Sequence, residues 1–324
     1  MTPFLVFLAG LATVLLGAEV LLRSGTRIAT MLGIRPIVIG LTVVSLGTST
    51  PELAVGITAA AEGRGPLAVG NIAGTNLVNI LLILGLSAAI RPLPIRFQSV
   101  TLDVPVMIAS VAALILMSLD GVLTRAEGAL LVLAAVFYTF ALVRGARRES
   151  PGTQREFAEE FGGDQVPPLQ WAGFAWRCAT LAAGIAIAAV GANLLVDGAV
   201  DIAKAYGVTD AVIGLTIVAI GTSAPELATT MLATYRDDRD VAIGNLIGSS
   251  TYNILVILGL TLIASPGEVD VGRDVLWIDL PLAAAVAVAC YPVFKSDRRV
   301  SRTEGIVFVT AYVAYLASIL ALRT

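Results

Sequence analysis

The chain has 324 residues, of which 57% are hydrophobic, 14% are charged and none is histidine, with a formal net charge of −3. Its mean hydropathy of +0.87 and its charged fraction, against roughly 25% in soluble proteins, point to the lipid bilayer as solvent. The negative charge argues against a nucleic-acid binder, which needs a basic patch. The missing histidine excludes histidine-based zinc sites, Ser-His-Asp triads and histidine proton relays. Cys178 and Cys290 lie in apolar stretches and read as small buried hydrophobes, not as a disulfide.

Apolar runs of about 20 residues are long enough to cross the hydrocarbon core as helices. Ten are read in chain order, centred on 4–22, 35–60, 67–88, 101–119, 125–144, 171–195, 209–233, 240–263, 275–294 and 303–322. The first run is too long for a signal-peptide core and has no basic residue before it. The one long polar stretch, 144–168, reads as a solvated linker in which Arg155–Phe161 suits a short surface helix.

An internal repeat organises these spans. Ile39–Ala54 (IGLTVVSLGTSTPELA) and Ile213–Ala228 (IGLTIVAIGTSAPELA) are identical at 12 of 16 positions, at an offset of 174. At the same offset Ala68–Leu86 matches Ala242–Leu260 at 11 of 19 positions. Each repeat holds five spans, an odd number, so the second must enter the membrane from the opposite side. The expected fold is therefore an all-α polytopic membrane protein of ten transmembrane helices, built as two inverted-topology five-helix repeats with broken helices at the site. The first repeat covers 1–144 with its motif at 39–86. A linker covers 145–170, and the second repeat covers 171–324 with its motif at 213–260. With the N-terminus outside, Lys and Arg number 15 on the inner side and 5 on the outer. The positive-inside rule then places both termini outside and the linker in the cytoplasm.

Glu52 and Glu226 stand at equivalent places inside apolar spans, with no Lys or Arg beside them in those spans. A carboxylate near the bilayer centre costs several kcal/mol unless it is paired or solvated. A proton, a bound cation, or each in turn can answer that cost. Pro51 and Pro225 lack an N–H, so the carbonyls of Gly47 and Gly221 lose their helical donor. Each helix should break there, which is tolerated at membrane depth only around a protein-lined or wet cavity. Carboxylate, hydroxyl and carbonyl oxygens collected in one place are what hard cations such as Ca²⁺ and Na⁺ take as ligands. In the following span Asn71, Thr75 and Asn79 recur every fourth residue, and Asn245, Ser249 and Asn253 repeat the pattern. Those amides are expected to face the glutamates. Gly70, Gly74, Gly244 and Gly248 read as close helix packing.

These two motifs, GTSTPEL and GTSAPEL, each followed by GNxxG and an Asn five residues beyond it, resemble the alpha repeats of the cation/calcium exchanger superfamily. The prokaryotic sodium/calcium exchanger branch is the most similar, and the likeness covers essentially the whole chain. It implies that Glu52 and Glu226 bind Ca²⁺ and that Thr48 and Thr222 add backbone carbonyls. It implies that Ser49, Ser223, Thr75 and Ser249 are Na⁺ ligands, with carbonyls from Ser45 and Ala219. Asn79 and Asn253 complete the centre. Many family members, potassium-dependent ones included, carry Asp at the position of Asn253, so K⁺ co-transport is not expected here.

The resemblance implies Na⁺/Ca²⁺ antiport by alternating access, with the first and sixth spans sliding over a central core. That means a prokaryotic inner-membrane protein, no enzyme, with Ca²⁺ and Na⁺ as substrates and no other cofactor. Its surroundings are lipid, with no nucleic acid and no obligate protein partner. Ca²⁺/H⁺ antiport and a passive cation channel remain the alternatives. Outside the site, Glu19 is expected to pair with Arg23. Asp103 and Asp279 are expected to answer positive helix ends, and Trp171, Trp176 and Trp277 to sit at the interface.

Overall fold

The computed structural model describes residues 2–32, 36–95, 99–147, 171–207, 219–296 and 298–322. Nearly all of them are helical, as they must be where no water can satisfy the backbone. The first repeat runs α1 (Thr2–Leu32), α2 (Pro36–Ile39), a π-helical turn (Gly40–Val44), α3 (Ser45–Thr48), α4 (Thr50–Ala61) and α5 (Gly65–Leu77). A π segment (Val78–Leu84), α6 (Gly85–Ile90), a π turn (Ser99–Asp103), α7 (Val104–Met117) and α8 (Arg125–Arg147) complete it. The second repeat runs α9 (Trp171–Ala205), α10 (Ala219–Thr222), α11 (Ala224–Tyr235) and α12 (Arg239–Tyr252). A π segment (Asn253–Leu258), α13 (Gly259–Ala264), a π turn (Val275–Asp279), α14 (Leu280–Ser296) and α15 (Arg302–Leu322) follow. The linker, the expected Arg155–Phe161 helix within it, and the start of the seventh span lie outside the described residues.

Among the described residues, seven helical stretches are by themselves long and apolar enough to cross a membrane. The broken stacks α2–α4 and α10–α11, together with α15, complete the ten. Two small antiparallel pairings bear on the inversion. Leu93–Pro94 (β1) pairs with Arg299–Val300 (β4), and Val122–Leu123 (β2) pairs with Val269–Asp270 (β3). Each joins a loop of one repeat to a loop of the other, so the two loops share a membrane face. Five spans per repeat and opposite entry satisfy both pairings.

The helices α1 and α9 are longer than hydropathy alone implies, at 31 and 35 residues. At 1.5 Å per residue each exceeds the roughly 30 Å hydrocarbon core. Hydropathy falls at Arg23 and Arg27, but the helical hydrogen bonding continues through them. The two helices pack along their length. Phe7 meets Gly198, Gly10 meets Leu195, Val14 meets Gly191, Gly17 meets Ala188 and Leu21 meets Gly184. Numbers rise on one helix as they fall on the other, so the pair is antiparallel. The glycines stand seven apart, which keeps them on one seam. A Cβ at Gly17 would lie 2.4 Å from the Ala188 amide nitrogen, so only hydrogen fits there. Ser24 Oγ donates to Thr180 Oγ1 at 2.9 Å across the same seam.

This pair sits unevenly on the rest. Val14 and Ala18 of α1 pack with Ala224 and Ala228 of α11, and Leu22 packs with Ala233 and Val241. Glu19 pairs with Arg23, as expected, and also with Arg236 at the end of α11. The equivalent packing of α9 on α4 is far less extensive; α9 lies instead over α3 and α10, where Ile185 and Val196 abut Gly47 and Gly221.

Several expectations are corrected. Cys290 is buried, but Cys178 is exposed on α9. In a bilayer an apolar stretch does not say whether its neighbour is protein or lipid. Asp103 and Asp279 each end a π turn directly before α7 and α14, and each also accepts a tyrosine hydroxyl, from Tyr138 at 3.1 Å and Tyr315 at 3.4 Å. Gly248 packs tightly on Leu41 and Ser45, and Gly70 approaches Val275 at 3.3 Å, but nothing lies within 4 Å of a Cβ at Gly74. Trp176 and Trp277 are exposed, as interfacial anchors should be.

The glycine contrast is testable. Gly17→Ala should lower the thermal unfolding midpoint of the purified protein, by a cost of about 1–3 kcal/mol for overpacking. Gly74→Ala should leave it unchanged or raise it, since helical Ala is favoured over Gly.

Candidate ion-binding site

Both breaks fall where the prolines predict them. α3 ends at Thr48, Ser49 leaves helical geometry (φ −82°, ψ 13°), and α4 begins with Pro51 and Glu52 in its first turn. Ser223 (φ −85°, ψ 11°) separates α10 from α11 in the same way, placing Pro225 and Glu226 in the first turn of α11. The first break is softer than the missing proline N–H alone implies. Thr50 Oγ1 donates to the Gly47 carbonyl at 2.8 Å and takes the place of the lost backbone donor. Its repeat equivalent is Ala224, which has no hydroxyl to do the same for Gly221.

The two halves interlace. The helix carrying Glu52, α4, packs on the π segment that begins with Asn253. The helix carrying Glu226, α11, packs on the π segment that holds Asn79. Likewise α3 lies on α12, which carries Ser249, and α10 lies on α5, which carries Thr75. Each motif thus faces the following span of the other repeat. The π turns re-aim side chains locally and commonly mark functional sites.

Glu52 and Glu226 are both 0% exposed. Among the described residues neither forms a salt bridge with a basic group. Ser49 Oγ donates to Glu226 Oε1 at 3.2 Å and so ties one motif to the carboxylate of the other. Both oxygens of Glu52, Oε2 of Glu226, Oγ of Ser223 and Ser249, both polar atoms of Asn79 and Oδ1 of Asn253 are buried without a hydrogen-bond partner in the protein. Seven of these eight atoms are oxygens, gathered on packed neighbours. Groups left so would each cost about 1–3 kcal/mol or more, a cost that a hard cation bound among them removes.

The expected residues divide in their roles. Ser45, Thr48, Ser49, Thr75, Ser223, Ser249, Asn79, Asn253 and the two glutamates are all buried. Thr222 is half-buried and Ala219 opens α10. The Ser45 hydroxyl is shared between the carbonyls of Gly40 (2.6 Å) and Asn245 (3.1 Å), and the Ser45 carbonyl itself accepts from the Ser49 amide (3.1 Å) and Thr48 Oγ1 (3.2 Å). Asn71 leaves its amide nitrogen without a partner. Asn245 does not aim at the glutamates. Its Nδ2 donates to Thr229 Oγ1 (3.0 Å) and Thr230 Oγ1 (3.2 Å), and its Oδ1 accepts from Thr48 Oγ1 at 3.4 Å. It is an interhelical tie that spacing alone could not separate from a ligand. Asn76 lies outside the i, i+4 stripe: its Nδ2 donates to the Ser250 carbonyl (2.9 Å), and its Oδ1 accepts from the Asn253 side-chain Nδ2 (3.3 Å).

Buried oxygens at the interface of two inverted repeats, on helices broken at membrane depth, define a secondary transporter of the inverted-repeat class. Residues 2–144 and 176–321 match the family of sodium/calcium exchanger proteins, and the chain belongs to that family. It is 36% identical to CaxA of Alkalimonas amylolytica, over 95% of each chain. It is 30% identical to the sodium/calcium exchanger MaX1 of Methanosarcina acetivorans, over 97% of each. Among solved structures, the sodium-calcium exchanger NCX_Mj superposes with a TM-score of 0.82 at 27% identity, covering 98% of each chain. The fold is therefore that of ten transmembrane helices in two inverted five-helix repeats, and the protein is a transporter, not an enzyme.

The tie made by Asn245 is testable separately from transport. Thr48 and Thr229 keep their bonds to the Ser45 and Pro225 carbonyls without Asn245, but Asn245→Leu removes the amide that ties them to Thr230 and should cost about 1–3 kcal/mol for the Thr230 bond it breaks. A thermal midpoint well below that of the unmodified protein, in Ca²⁺-free detergent solution, is the expected result.

Proposed function

We propose that the chamber between the two motifs is where this Na⁺/Ca²⁺ antiporter binds its ions in turn, with Glu52 and Glu226 shared between them. The observation that supports this most is the pair of fully buried carboxylates without a basic partner. Their formal charge of −2 is matched by one Ca²⁺, or by Na⁺ ions at overlapping oxygens. Sharing makes occupancy by the two ions exclusive, which couples their opposed movement. The carbonyls of Thr48 and Thr222, together with Asn79 and Asn253, complete the Ca²⁺ sphere. Ser49, Ser223, Thr75 and Ser249, with the carbonyls of Ser45 and Ala219, complete the Na⁺ positions. Neutral Asn at both 79 and 253 leaves no third carboxylate for K⁺, so exchange is K⁺-independent.

Access alternates as the α1–α9 pair slides across the core. In the conformation described, α1 lies over α11 and its ion pair to Arg236 seals that side. The looser packing of α9 on α4 supports ion access alongside α4, from a site that is itself fully buried. With both termini outside and the linker cytoplasmic, that passage is extracellular. A relative in Escherichia coli, 34% identical over 96% of this chain, is named an inner membrane protein, which supports the same location here. The sodium gradient then drives Ca²⁺ out of the cell.

Reconstituted vesicles test this directly. An imposed Na⁺ gradient should drive ⁴⁵Ca²⁺ movement that is indifferent to K⁺ and needs no pH gradient. Movement driven by a pH gradient alone would favour Ca²⁺/H⁺ antiport, and conductance without a counter-ion would favour a channel. Glu52→Gln and Glu226→Gln should each abolish Ca²⁺ transport, and a near-normal rate in either variant removes that glutamate from the site.

A further inference from the structure

An asparagine can offer a cation its oxygen or its nitrogen, and only the oxygen is a ligand. What decides between them is the partner of the other half of the amide. Asn79 has no such partner on either atom. Asn253 has one: its Nδ2 donates to Asn76 Oδ1 at 3.3 Å, and its Oδ1 is left buried without a partner. The direction of that bond is forced. Asn76 Nδ2 donates at 2.9 Å to the backbone carbonyl of Ser250, which accepts and cannot donate. Asn76 must therefore turn its oxygen to Asn253, and Asn253 must answer with its nitrogen. A backbone group with one polarity thus sets the polarity of a side chain two bonds along the chain of contacts.

We infer that Asn76 is a positioning residue for ion binding: held by the Ser250 carbonyl, it makes Asn253 present oxygen, not nitrogen, to the cation. This rests on Asn253 belonging to the ion site. The device is one-sided. The repeat equivalent of Asn76 is Ser250 itself, whose hydroxyl is buried without a partner. Asn76 and Ser250 thus meet across the repeat interface, and only Asn253 of the two equivalent amides is oriented. The device also sets a specificity rule. An aspartate at 253 has no N–H for Asn76 Oδ1, so two oxygens would face each other unless Asn76 gave up its bond to Ser250. The neutral amide at 253 and the asparagine at 76 form a matched pair.

A double-mutant cycle on the full-length protein tests this, using ⁴⁵Ca²⁺ binding in detergent and the half-saturating Ca²⁺ concentration in vesicles. Asn76→Ala should raise that concentration about three- to tenfold, in the range of coupling between contacting residues. In the Asn253→Ala background the same change should add nothing, because no amide remains to be oriented. Asn76→Ala should also lessen the loss caused by Asn253→Asp. An equal effect of Asn76→Ala in both backgrounds would mark a merely structural role and overturn the inference, as would no effect at all. Unchanged Ca²⁺ binding in Asn253→Ala would overturn it at its base, by removing Asn253 from the site. Should Asn76→Ala fail to fold, Asn76→Ser, the residue found at the equivalent position, carries the same expectations.

Discussion

Two carboxylates share a lipid-embedded interior with no basic side chain to neutralise either. Removing an ion from water costs several kcal/mol even after a protein relaxes around it, and here the cost is incurred twice at short range. Apolar packing cannot offset it locally, because every oxygen nearby is itself polar and buried. A resident arginine would offset it permanently and leave nothing for transport. A cation that comes and goes satisfies the electrostatics and supplies the function together. The broken helices, the hydroxyls and the absence of Lys and Arg around the motifs all follow from that condition.

The repeats answer the condition jointly. Because α4 packs on the segment opened by Asn253 and α11 on the segment holding Asn79, neither repeat contains a whole site. The interface is not symmetric in detail. Ser49 reaches Glu226, Thr50 restores a bond at Gly47 that Ala224 cannot restore at Gly221, and Glu19 holds Arg236 where the repeat equivalents are Asn193 and Glu62. An alternating-access carrier must occupy two states that inverted symmetry would make equivalent. Such departures make the states unequal in energy. The tight glycine seam between α1 and α9 lets the two helices act as one body, since sliding them past each other would drive Leu195 and Ala188 into the backbone at Gly10 and Gly17.

Much of this was legible in the chain. The spans, their grouping by five, the breaks at Pro51 and Pro225 and the buried glutamates all follow from hydropathy, an offset and the chemistry of proline. Where the chain misleads, the missing information is the neighbour. Around Cys178 apolar residues look alike whether they meet lipid or protein. Periodicity puts Asn245 on the face shared with Ser249 and Asn253 but does not state what that face meets. Asn76 differs from its repeat equivalent Ser250, so the internal repeat does not mark it. The π turns left no signal, since they shift the hydrogen-bond register without changing composition.

The sequence alone determined the architecture and the class of chemistry. Helical hydrogen bonding in lipid, the parity of five spans and the oxygen-only set of polar atoms are local properties, readable one residue or one repeat at a time. Only the tertiary structure decided which oxygens belong together and which way they point. That Glu226 meets Ser49, that Asn245 accepts from Thr48, and that Asn253 turns its oxygen inward depend on partners some 170 to 200 positions away. A hydrogen bond is directional and short, and no spacing along one helix can state what a helix from the other repeat places within bonding reach of it.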